Sequence, residues 1–201
     1  MHQRSKIVIT GGPSGGKTTL IDYLKKEFPK KVKIVPEAAS VLYKGGFPRL
    51  KSESGLYHAQ IAIYYTQKSL EQMLFENSER ELLVCDRGSL DALAYWPRSE
   101  ENFFQTIQSS LEKELKRYDW VIHLDTALEN GYDTHNELRT ENHEEALILN
   151  EKTKKAWSMH PRRIIISSEV DFLTKMKKAT ELMTMILEDH QYQDIKKRIE
   201  N

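Results

Sequence analysis

The chain has 201 residues with Lys+Arg 30 and Asp+Glu 30, so its formal net charge is +0. That length gives one domain with room for an inserted lid, and it hides about 70% of the unfolded surface. The charge balance argues against a general nucleic-acid binder, the mean hydropathy of -0.62 is that of a folded soluble chain, and no apolar run approaches the ~18 residues of a membrane span.

Short apolar runs alternate with longer amphipathic stretches, the pattern of an α/β domain around a parallel sheet. The first run, Lys6–Thr10 (KIVIT), is too short for a signal peptide, and a glycine-rich turn follows it. That turn, Gly11-Gly12-Pro13-Ser14-Gly15-Gly16-Lys17-Thr18, fits G-x-x-x-x-G-K-[ST] between a strand and a helix. The glycines let the backbone fold around an anion with its amides turned inward. Lys17 is placed to reach the β- and γ-phosphates of a nucleotide, and Thr18 offers its hydroxyl to Mg²⁺. A helix over Thr18–Glu27 adds its positive dipole end. Gly11 through Thr19 form the candidate nucleotide-binding segment.

The second strand, Val32–Val35 (VKIV), leads into Pro36-Glu37-Ala38-Ala39. Glu37 suits either a general base for a substrate hydroxyl or a magnesium partner acting through water; favourable helix-start charge after a proline is the plainer alternative. Lys44–Ser54 (KGGFPRLKSES) is rich in Gly, Pro and Ser, and a mobile loop on the acceptor side is expected there. A helix follows over Gly55–Ser78, with Ile61, Tyr64, Tyr65 and Leu70 at helical spacing. Tyr57, Tyr64 and Tyr65 fit a packed helix face better than a base-stacking platform. The third strand, Leu82–Cys85, ends in Asp86, the acidic partner that holds Mg²⁺ directly or through water, and Arg87 comes next. Such a pair at a strand's C-terminal end puts an anion and a cation at the ligand edge of the sheet; a helix N-cap is the alternative. Cys85 is the only cysteine, which leaves no intrachain disulfide and no cysteine zinc cluster, and fits a reducing, cytoplasmic compartment.

Glu101–Tyr118 reads as one amphipathic helix, with Phe104, Ile107, Leu111 and Leu115 on one stripe. The strand Trp120–Leu124 (WVIHL) follows. His123 within it reads as structural, and the scattered His58, His135, His143 and His160 lack metal-ligand spacing. Thr126–Thr140 has little periodicity and reads as a surface loop and lid. Arg139, just before a helix over Glu144–Trp157, is placed to swing over the phosphates and stabilise transition-state charge. Pairing with Glu141 or Glu144 on the surface is its alternative. Lys154, Lys155, Arg162 and Arg163 read as a solvated face. A strand at Ile164–Ile166 and a helix over Val170–Glu188 complete the set, and Ser167–Asp171 is where an adenine would be held.

These blocks in this order resemble the NadR-like group of AAA-type P-loop ATP-binding proteins, which includes the ribosylnicotinamide kinase domain of NadR. The matching stretches are ITGGPSGGKTTL, VPEAA, CDRGSLDALAYW, and LRTENHEEAL preceded by HLDTALENGY. The chain is also similar to the deoxynucleoside kinases, whose Glu after the second strand and Asp-Arg-Ser after the third match Glu37 and Asp86-Arg87; Gly88 stands where that pattern has Ser. The resemblance implies a P-loop NTPase fold, a kinase-like three-layer sandwich with a five-stranded parallel sheet and helices on both faces. It further implies Glu37 as the base, Arg87 as a grip on substrate or phosphate, Arg139 as a lid arginine, and Gln60 and Gln67 on the long helix as readers of the acceptor.

No Asn-Lys-x-Asp guanine reader is present, and Asp86-Arg87-Gly88 is not the Asp-x-x-Gly switch of a signalling GTPase. Nor does a Glu follow Asp86, as it would in an AAA machine. The expectation is Mg²⁺-dependent transfer of the ATP γ-phosphoryl group to a small hydroxylated, nucleoside-like acceptor, with GTP open as donor. The alternative is a nucleotide-binding switch acting through a protein or lipid partner. A kinase of nucleic-acid ends fits the neutral charge poorly. Neither the acceptor, the choice of base between Glu37 and Asp86, nor the oligomeric state is fixed by sequence.

Overall fold

Five apolar runs become five parallel strands: β1 (Ser5–Thr10), β2 (Val32–Val35), β3 (Leu82–Asp86), β4 (Trp120–Leu124) and β5 (Arg163–Ile166). They form one sheet in the order β2-β3-β1-β4-β5. The helices are α1 (Lys17–Glu27), α2 (Ala38–Lys44), α3 (Glu53–Glu76), α4 (Asp91–Ala94), α5 (Glu100–Thr106), α6 (Leu111–Leu115), α7 (His143–Ala156), α8 (Phe172–Leu187) and α9 (Tyr192–Glu200). The computed structural model describes residues 5–79, 82–127, 142–168 and 171–200.

The strands are buried on both faces, so they read as unbroken apolar runs rather than as alternation. Ile7 and Ile9 of β1 pack with Leu20 and Leu24 of α1, Leu182 of α8 and Ile195 of α9. The intervening Val8 points to the other face, with Val35, Cys85, Tyr64 of α3, Phe103 of α5 and Trp157 beyond α7. Each such side chain contributes roughly 1.5–3 kcal/mol on burial. The result is the expected three-layer arrangement. Among the described residues, no helix is long and apolar enough to cross a membrane.

Three expectations change. The helix over Glu101–Tyr118 is two helices. Gln108 takes φ 52, and the Ser110 hydroxyl accepts from Lys113 N to start α6. The apolar stripe runs across this break because both pieces cover the same face, which is why periodicity reads as one helix. Helices α2, α4 and α9 escape the periodicity search, being short or polar; α9 is anchored by Ile195 and Ile199 alone among its buried residues. The Lys44–Ser54 segment is also shorter as a connection, since α2 runs to Lys44 and the Ser52 hydroxyl caps α3 from Gly55 N. Of Thr126–Thr140, only Thr126 and Ala127 are among the described residues, and Thr126 is buried. Arg139 lies outside the described residues.

The central strand β1 pairs with β3 on one side and β4 on the other. The chain leaves β1 for the β2 edge, returns at β3, then crosses to β4. The loops at the C-terminal ends of β1, β3 and β4 therefore diverge, and such a switch point is where open α/β sheets bind ligands. Register sets the rest: Ile9 lies beside Asp86, and Val35 beside Cys85. Asp86, Glu37 and the glycine-rich turn thus reach one edge of the sheet.

Candidate active site

The turn between β1 and α1 is shaped by its glycines. Gly11 has φ 128 and Gly16 φ 93, and Ser14 joins them at φ 58. A Cβ on Gly11 would lie 2.0 Å from the Leu124 carbonyl oxygen, so the turn sits directly on the end of β4. Helix α1 begins at Gly16 with no side-chain cap bond and no acidic residue in its first turn. Its leading N–H groups are left for an anion. Lys17 Nζ donates to the carbonyls of Gly11 (3.0 Å) and Gly12 (2.7 Å). Burial and the nearby Arg87 push its ammonium down to about 7. A triphosphate in the cradle would reverse that pressure, because an adjacent anion favours the charged amine.

On the β2–β3 side the acidic and basic groups interlock. Arg87 takes φ 67 and donates from Nε to Glu37 Oε1 at 2.6 Å. Its Nη1 reaches Asp91 Oδ1 at 3.1 Å and the Gly11 carbonyl at 3.3 Å. The Ser40 hydroxyl donates to Glu37 Oε2. Burial pushes Glu37 upward, but the Arg87 charge and the Ser40 and Arg87 hydrogen bonds outweigh it and hold the carboxyl below its usual range. Asp86 behaves oppositely: burial and the like charge of Glu37 raise it to about 6. Among the described residues no hydrogen bond or ion pair engages the Asp86 carboxylate. An Asp86 carboxylate without a hydrogen bond among the described residues and an exposed Thr18 offer hard oxygen donors that fit Mg²⁺. That ion is usually held by one or two carboxylates plus substrate phosphates. No group of three or more His, Cys, Asp or Glu able to hold a metal exists among the described residues.

The other flank of the turn is fixed by α7. Buried Asn150 accepts at Oδ1 from Gly12 N (3.0 Å), His123 Nε2 (3.0 Å) and Thr126 N (3.3 Å). Its Nδ2 donates to Asp125 Oδ1 at 2.9 Å. Lys154 pairs with the same oxygen at 2.8 Å. His123 is structural, as expected. Lys154, expected on a solvated face, is instead an ion-pair partner.

Lys17, Glu37, Asp86 and Arg87 are brought to one edge of the sheet, beside the turn formed by Gly11, Gly12, Pro13, Ser14, Gly15 and Gly16. Thr18 and Thr19 are exposed in the first turn of α1. Gln67 is buried, and its Nε2 donates to the Arg87 carbonyl at 3.1 Å and to Glu71 Oε1 at 3.2 Å. Gln60 is buried too, and no hydrogen bond among the described residues engages its amide. Tyr64 is core, Tyr65 is exposed, and Tyr57 lies against Trp96 with Arg98 over its ring. Near the end of β5, Asp171 spends its carboxylate on capping α8.

Sequence reasoning missed Asp91, Ser40, Asn150 and Glu71. Asp91 is the hub of the Arg87 turn: it accepts from Thr10 Oγ1 (2.6 Å), Gly88 N (3.0 Å), Trp157 Nε1 (3.1 Å) and Arg87. Its place four residues after Arg87, at the start of a short helix, was the available signal. For Asn150 the signal was an unfavourable residue in mid-helix, which implies a side-chain task.

A family model described as an AAA domain matches residues 6–175. No curated protein sequence matches the chain. Among solved structures, deoxyadenosine kinase from M. mycoides with bound dATP superposes with a TM-score of 0.61 at 15% identity, covering 90% of this chain and 100% of that one. The same enzyme with the products dCMP and a flexible dCDP gives 0.57 at 17%, covering 89% and 98%. With bound dCTP it gives 0.58 at 16%, with the same coverage. At these identities the likeness is one of fold, and the all-parallel five-stranded sheet with flanking helices is that fold. With 6–175 matched and a glycine-rich phosphate loop at the switch point of the sheet, the chain belongs to this AAA-domain family of P-loop proteins.

Proposed function

We propose that the protein is a kinase that moves the γ-phosphoryl group of ATP to a hydroxyl of a small, nucleoside-like acceptor, in the manner of the NadR-like group. The observation that carries this reading is the Arg87 guanidinium, which joins Glu37 at 2.6 Å to the phosphate loop at the Gly11 carbonyl. A carboxylate able to accept a proton and a cation able to hold a phosphoryl oxygen thus stand beside one anion cradle.

In this reading the Gly11–Thr19 segment holds the donor phosphates through the Lys17 ammonium and its backbone N–H groups, apart from Pro13, which has none, and Gly12, whose N–H bonds Asn150. Thr18 and Asp86 would hold Mg²⁺, which neutralises charge on the β- and γ-phosphates when bound. Glu37 orients the acceptor hydroxyl and takes its proton. Arg87 moves from pairing with Glu37 to sharing the transferred group. Gln60, buried as a residue and with no hydrogen bond to its amide among the described residues, reads polar atoms of the acceptor. Catalysis is then mainly positioning and electrostatics. Arg139 is proposed as the lid arginine, and segments 44–54 and 126–140 as the parts that close.

Glu37→Gln tests the assignment. It should cut acceptor-dependent kcat by about 10²-fold or more while donor affinity stays within a few fold. Equal loss of both would place Glu37 in donor or metal binding instead. Gln60→Leu should raise acceptor KM by about tenfold with little change in donor KM; an unchanged acceptor KM removes Gln60 from the acceptor site.

A further inference from the structure

Behind the Arg87 turn stands a buried ionic cluster that the proposed chemistry does not use. The Glu71 carboxylate, fully buried on α3, accepts from four groups: Lys6 Nζ (3.2 Å), Arg117 Nη2 (2.7 Å), Tyr118 OH (2.7 Å) and Gln67 Nε2 (3.2 Å). Two of these partners are shared with the turn. Gln67 Nε2 also donates to the Arg87 carbonyl at 3.1 Å, and Tyr118 OH also accepts from Ser89 N at 2.8 Å. One carboxylate therefore ties down the first and third residues of Arg87-Gly88-Ser89.

The turn needs such support. Arg87 has φ 67, a left-handed conformation that side-chain-bearing residues adopt only at an energetic cost. It persists only where surrounding bonds over-determine it. Buried Glu114 supplies a contrast: it shares Arg117 with Glu71, at 3.5 Å from Nε, but its hydroxyl donors, Tyr64 OH at 2.8 Å and Ser109 Oγ, do not bond to the turn.

We infer that Glu71 is a positioning residue: through Gln67 and Tyr118 it fixes the 87–89 turn, and so aims the Arg87 guanidinium at Glu37 and the phosphate loop. The consequence for turnover rests on the proposed role of Arg87; the positioning itself does not. A buried network in which one carboxylate accepts four hydrogen bonds rigidifies what it touches.

The test uses the full chain with ¹⁵N-labelled arginine, the Arg87 Nε–H resonance being assigned by its loss in Arg87→Lys. Glu71→Gln strips Lys6 of its counter-charge, leaves Arg117 with Glu114 alone and endangers folding, so Gln67→Met and Tyr118→Phe carry the test. Both should shift or broaden the Arg87 Nε–H resonance. Both should lower kcat about tenfold or more, with ATP Kd within about threefold. Tyr64→Phe, which removes a comparable buried hydroxyl–carboxylate bond, should lower Tm similarly and leave the resonance and kcat as in wild type. If Gln67→Met and Tyr118→Phe lower Tm but leave the resonance in place, Glu71 is only a fold stabiliser and the inference fails. If wild type lacks acceptor-dependent turnover, the proposed function fails, and the resonance still decides the positioning.

Discussion

Two glycines with similar backbone angles have different tasks. Gly11 (φ 128) sits with the Leu124 carbonyl where its Cβ would be, whereas Gly46 (φ 91) has nothing within 4 Å. Gly11→Ala should therefore cost about 3 kcal/mol or more, from left-handed strain plus a backbone clash. Gly46→Ala should cost only about 1 kcal/mol, from the strain alone. Urea denaturation of the two variants checks this, and equal losses would mean that β4 does not constrain the phosphate loop. The glycine-rich motif, Glu37 and Asp86-Arg87 were legible because motif spacing implies their surroundings. The stripe Gln60, Tyr64, Gln67 and Glu71 was half legible. Its spacing of four, three and four marks one helix face, and the resemblance gives Gln60 and Gln67 as readers of the acceptor, but only the fold shows that all four are buried. A polar face on a buried side implies partners in other elements, and those lie 20 to 47 residues away in Arg87 and Tyr118.

Helix starts divide along functional lines. Helices α3, α5, α6, α7 and α8 each begin with a side-chain cap bond, from Ser52, Ser99, Ser110, Asn142 and Asp171. Helices α1, α2 and α4, which follow β1, β2 and β3, begin without one. The capped helices are fixed to the scaffold, while α1 opens at the phosphate loop with its N–H groups free. Helix α7 reaches the loop differently, through Asn150 and the Asp125 ion pair with Lys154. Burial pushes Asp125 up, but hydrogen bonds from His123, Lys154 and Asn150 outweigh it and hold the carboxyl well below its usual value of 3.8. A depressed folded-state value stabilises the fold above the unfolded value, and that contribution is lost as pH falls below it. Asp125→Asn should thus cost about 2 kcal/mol at pH 7. The gap from wild type should narrow toward pH 2.5, as read by denaturant titration at both pH values. A gap that is constant with pH would contradict the charged pairing. Element boundaries were readable where caps and apolar runs coincide; the α5–α6 break was not, since one stripe spans it.

At the scale of the molecule, sheet class and strand number follow from five buried apolar runs. The strand order is a matter of long-range pairing that periodicity does not encode. That order decides where the chemistry sits: with β1 between β3 and β4, the phosphate loop, Asp86 and Glu37 share one crevice, and α7 closes its far side. The two faces of the sheet also divide the work. One is a plain apolar layer under α1, α8 and α9. The other, under α3 and α7, carries the buried polar groups that hold the Arg87 turn. The central claim is that this crevice transfers phosphoryl groups to a small acceptor. The most direct measurement is ADP formation from Mg-ATP across a panel of nucleosides that includes nicotinamide riboside, with Lys17→Ala as the blank. Turnover that depends on one acceptor class and is lost in Lys17→Ala is the expected result. ATP binding without acceptor stimulation, or turnover that survives Lys17→Ala, would contradict it.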